Sequence, residues 1–80
     1  MTEAPSDEQV ARQILDIFSV HHVGIGGVLQ RNQFINVRDA YFQRGMNKAV
    51  ESGWINRMRD RYKYELTKSG FVEASIEMHG

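Results

Sequence analysis

Between Phe42 and Val72 the spacing of apolar residues changes period twice, and few folds accommodate a chain that does so. Phe42, Met46, Ala49 and Val50 recur at three- and four-residue steps, the spacing of one face of a helix, which leaves Ala40, Arg44, Asn47 and Glu51 on the opposite face. Gly53 ends that helix, because glycine adopts the left-handed conformation of a helix C-terminus without a Cβ penalty. Trp54-Ile55-Asn56-Arg57-Met58 follows. In Tyr62-Lys63-Tyr64-Glu65-Leu66 apolar and polar residues then alternate, the period of a half-buried strand. Arg59-Asp60-Arg61 between the two runs completes a predicted hairpin. Thr67 stands where a helix N-cap belongs, and Phe71, Val72, Ser75, Ile76 and Met78 form the stripe of a closing helix.

Upstream, Val10, Ala11, Ile14, Leu15, Ile17 and Phe18 predict an amphipathic helix from about Glu8, capped by Ser6 or Asp7. It ends near Val20 to His22, before the breaker Gly24-Ile25-Gly26-Gly27. Residues 1–6 lack periodicity and are expected to form a flexible arm. Val28, Leu29, Phe34 and Ile35 are too few to assign by period, and a two-turn helix is the economical reading. Asn36 then caps a helix from about Val37 to Ser52, with Asp39 near its positive end. Gly45 inside it costs about 1 kcal/mol relative to alanine, which predicts a close approach to another element.

These pieces predict an α+β chain with a three-helix core, a two-stranded hairpin and a C-terminal helix, as a single domain over residues 7–80. Eighty residues fit one domain, and a chain of that size buries only about 60% of its unfolded surface. A hydrophobic fraction of 41% is enough for a small core. The chain has no cysteine, which excludes disulfides, thiolate metal sites and cysteine nucleophiles. A polar N-terminus carrying Pro5 does not resemble a signal peptide, and no apolar run approaches a membrane span. A cytoplasmic protein without membrane contact is the expectation.

Net charge is zero, but its distribution is polarised. Residues 31–68 hold nine Lys or Arg against four acids, giving +5, whereas residues 1–30 carry −3 and the tail from Ser69 carries −2. Arg57, Arg59, Arg61 and Lys63 crowd the hairpin, a density that suits phosphate contact or, alternatively, protects a sheet edge from pairing.

Other chemistry finds little footing. Adjacent His21 and His22 diverge by about 100° on a helix and cannot chelate one ion from one face. The glycine run follows a helix and lacks the Lys-Ser/Thr pair of a phosphate loop. No nucleophile, base and carboxylate order can be assembled, so neither catalysis nor a metal or other cofactor is expected. Trp54, at the helix-to-strand corner, reads as core or interface packing in preference to a base-stacking platform.

Two segments carry a family resemblance. Ala49-Val50-Glu51-Ser52-Gly53-Trp54-Ile55 looks like the end of the recognition helix of winged helix-turn-helix DNA-binding domains, and Tyr64-Glu65-Leu66-Thr67-Lys68-Ser69-Gly70 is similar to their Y-x-L-T-x-x-G wing exit. The resemblance spans residues 8–78. It implies a small transcriptional regulator that reads the major groove of double-stranded DNA with helix 37–52 and contacts phosphate or the minor groove with the wing 55–66. The implied contact residues are Arg38, Tyr41, Gln43, Arg44, Asn47 and Lys48 on the helix, with Arg57, Arg59, Arg61 and Lys63 on the wing. Arg44 is the candidate for guanine, and Gln43 or Asn47 for adenine. Zero overall charge and the loose glycine linker are also compatible with a winged helix that binds only protein, as an adaptor or small subunit. The apolar C-terminal helix is a candidate homodimer face.

Overall fold

The structure, a computed structural model, describes residues 4–60 and 62–79, the last three through their backbone only. Its elements in order are α1 (Asp7–Val20), β1 (Val28–Gln30), a 3-10 turn (Arg31–Phe34), α2 (Asp39–Glu51), β2 (Ile55–Arg57), β3 (Lys63–Leu66) and α3 (Lys68–His79). Among the described residues the fold is α+β, with three α-helices and one three-stranded antiparallel sheet of order β1-β3-β2.

Local chemistry explains the first helix. Ser6 Oγ accepts from the Gln9 N–H at 3.1 Å while Gln9 Oε1 accepts from the Ser6 N–H at 2.8 Å, a reciprocal capping box. Val10, Ala11, Ile14, Leu15 and Phe18 are buried. The exit is a Schellman arrangement in which His22, at φ 57°, takes the left-handed place commonly held by glycine. The His22 N–H donates to Ser19 O and the Val23 N–H to Phe18 O.

The segment after the glycines corrects the sequence reading. Val28–Gln30 is a strand, Arg31–Phe34 a 3-10 turn, and the sheet has three strands where a two-stranded hairpin was expected. A hairpin alone leaves the outer edge of β3 with unpaired N–H and C=O groups. Here Val28, Leu29 and Gln30 pair with Glu65, Tyr64 and Lys63, and the bonds Gly26 N–H to Leu66 O and Arg31 N–H to Tyr62 O extend the pairing at both ends. Only Leu29 and Phe34 of the four apolar residues are buried, and Ile35 is 80% exposed.

α2 starts two residues later than expected, at Asp39, and Arg38 stands at its N-cap without a side-chain cap bond. Asn36 lies outside the helix because Val37 drops into the core and its N–H closes a turn onto Phe34 O. At Gly45 α2 crosses α1 so closely that a Cβ would collide with Val10.

The junction after α2 follows the expected chemistry. Gly53 has φ 81°, and the N–H groups of Gly53 and Trp54 return to Val50 O and Ala49 O. Thr67 Oγ1 lies 2.6 Å from Gly53 O and 2.9 Å from Trp54 O as donor, and accepts from the Gly70 N–H at 3.0 Å. One hydroxyl therefore caps α3 and ties it to the end of α2. A Cβ at Gly70 would collide with the Trp54 carbonyl, so α3 approaches this corner as only glycine allows. Trp54 is half-buried against the core, with the Arg12 guanidinium 5.2 Å from its ring centre.

Phe18, Phe34, Phe42 and Tyr64 form the centre of the core, with ring centroids 5.6 to 6.1 Å apart in tilted and edge-on pairs. α1, the 3-10 turn, α2 and β3 each contribute one ring, so this cluster fixes α2 against the sheet.

Candidate nucleic-acid interface

α2 buries Phe42, Gly45, Met46 and Ala49 and exposes two flanks. On the flank toward the hairpin, Asn47 Oδ1 accepts a hydrogen bond from Arg57 Nη2, which joins α2 to β2 through side chains. Gln43 of the same flank lines a hollow of about 640 Å³ with Arg57, Met58, Arg59 and Tyr62. The structure therefore brings Gln43, Asn47, Arg57 and Arg59 together.

The opposite flank is held differently. Arg44 Nε donates to Asp7 Oδ1 at 3.0 Å, so the guanidinium reaches back to the first turn of α1. Lys48, one helical turn further on, is half-buried, as is Tyr41, which packs against the core. Arg38 is exposed before α2 and lines a second hollow, of about 800 Å³, with Gln30, Asn32, Ile35 and Tyr62. Lys63 is half-buried in β3, its Nζ 3.9 Å from Asp60 Oδ2. Arg61 lies outside the described residues.

Arg31 is the residue that sequence reasoning missed. Its guanidinium stands 3.8 Å from the Phe42 ring centre and donates to Phe34 O at 3.2 Å, Val37 O at 3.4 Å and the Asp39 carboxylate. It thereby fixes the irregular stretch before α2 to the helix itself. Nothing in the spacing around Arg31 announces this role, since its partners follow it in a segment read as a helix. Tyr62 was expected to alternate inward with Tyr64 and Leu66. The last residue pair of the β1–β3 register is Gln30 with Lys63, and although the Tyr62 C=O still accepts from the Arg31 N–H, Tyr62 is 61% exposed.

Charge on this surface is unevenly balanced. Asp7, Asp39 and Asp60 are engaged by Arg44, Arg31 and Lys63, whereas Arg38, Lys48, Arg57 and Arg59 form no ion pair among the described residues. No described group of three or more His, Asp or Glu side chains could hold a metal ion. Among the described residues, no helix is long and apolar enough to cross a membrane. Neither a family model, nor a curated protein, nor a solved structure matches this chain.

Proposed function

We propose that this chain is a winged-helix DNA-binding protein, a small cytoplasmic transcriptional regulator without catalytic activity. In this reading α2 enters the major groove and the 55–66 hairpin follows the phosphates or the minor groove. The observation that carries it is the Arg57–Asn47 hydrogen bond, which couples hairpin and helix beside the hollow that Gln43, Arg57 and Arg59 line. Arg38 at the start of α2 and Lys48 on its far flank, neither in an ion pair among the described residues, add positive charge to the same helix. Gln43 is exposed and makes no side-chain hydrogen bond among the described residues, so it is available to adenine. Arg44 reaches guanine after leaving Asp7. Titration of random duplex DNA across a salt series tests the reading: a complex at low salt that weakens as salt rises supports it, and no complex at any salt refutes it.

A second reading, a protein-interaction winged helix, is favoured by the outer side of α3. Phe71, Val72 and Ile76 are exposed there, and a hollow of about 330 Å³ separates α3 from the end of α1. A homodimer through α3 serves either reading. Sedimentation as a strict monomer, together with DNA binding, removes this one.

A further inference from the structure

Tyr62 combines a fixed backbone with an exposed ring. Its N–H donates to Asp60 Oδ1 at 3.1 Å, its C=O accepts from the Arg31 N–H at 2.7 Å, and the residue is nevertheless 61% exposed. The two hollows described above are both lined by Tyr62 and Arg31 and so border the same ring; together they are the Tyr62 groove. Exposed Ile35 lies on one side and exposed Met58 on the other. Arg38 lines one half and Arg57 and Arg59 the other, all without ion pairs among the described residues. The groove's carboxylate, Asp39, is engaged by Arg31.

An aromatic platform flanked by unpaired cations matches the chemistry of single-stranded nucleic acid, in which bases stack on rings while phosphates follow positive charge. Bases inside a duplex are already stacked and offer no face to a side chain. We propose that the Tyr62 groove holds an unpaired strand, with one nucleobase stacked on the ring and its phosphates along Arg38, Arg57 and Arg59. This rests on the nucleic-acid reading of the same surface and narrows the substrate to a duplex with an unpaired tail.

Fluorescence anisotropy with three probes tests it: a blunt duplex, the same duplex with a short oligo-dT tail, and the same duplex with an abasic tail of equal length and charge. The dT tail binds about tenfold tighter than the abasic tail, within the range for one stacked base. Tyr62→Ala brings that ratio to about one, and Tyr62→Trp preserves it. Equal binding of dT and abasic tails by the unaltered protein, with the blunt duplex also bound, overturns this inference alone and leaves the exposed ring to a protein partner. Tail binding without blunt-duplex binding supports it and overturns the duplex reading. No binding of any probe overturns both.

Discussion

The corner from Gly53 to Gly70 and the stretch from Val28 to Arg38 both contribute strands to the same sheet, yet they acquire their shapes by different routes. At the corner each residue acts on near neighbours or on the opposite arm of one hairpin: Gly53 turns the chain, Thr67 caps α3, and Gly70 admits the Trp54 carbonyl. Residues 28–38 owe their shape to distant partners. β1 exists because β3, more than thirty positions later, offers an edge, and the turn after it is anchored by Phe34 among rings from α1, α2 and β3, with Arg31 adding only short-range bonds to Phe34, Val37 and Asp39. Rules of sequence spacing therefore reach the first region and miss the second.

The largest effect is expected in the second region. Phe34→Ala removes one ring from a four-ring cluster and should cost about 3–5 kcal/mol in urea unfolding, as for other buried aromatic truncations. A loss below about 1 kcal/mol would mean that the stretch holds its shape locally after all. Next comes the corner, where Gly70→Ala forces α3 away from the Trp54 carbonyl and should cost about 1–3 kcal/mol by the same measurement. Thr67→Ala, which deletes the cap and the link to Gly53, should cost about 1 kcal/mol. The order Phe34, Gly70, Thr67 sharpens the comparison; its reversal would break it.

What was legible follows the same division. Both ends of α1, the C-terminal end of α2 and the cap at Thr67 arise from residues whose preferences act within a turn or two, and Gly45 signalled a close approach only through its cost in a helix, without naming Val10 as the partner. The third strand was not legible, because three residues cannot display a period and their pairing partner lies far away. At the candidate interface the residue types were readable from their exposed helical and hairpin positions, but their pairing was not. The Arg44–Asp7 contact joins residues 37 positions apart, and Arg57 meets Asn47 only because the chain reverses at Gly53.

That unreadable pairing yields the smallest prediction for stability. Asp7→Asn breaks an exposed ion pair and should change unfolding by less than about 0.5 kcal/mol. It also frees Arg44 and removes a negative charge, so duplex binding at low salt should tighten about two- to fivefold. Unchanged binding would show that Arg44 takes no part in the interface.

The central claim is that α2 and the hairpin form one DNA-contacting surface, and its most direct measurement is the salt dependence of duplex binding by the unaltered protein and by the Arg57→Ala, Arg59→Ala double variant. If both arginines lie on phosphates, the slope of log affinity against log salt falls by about two in the variant. An unchanged slope, with the fold intact by circular dichroism, would contradict the account.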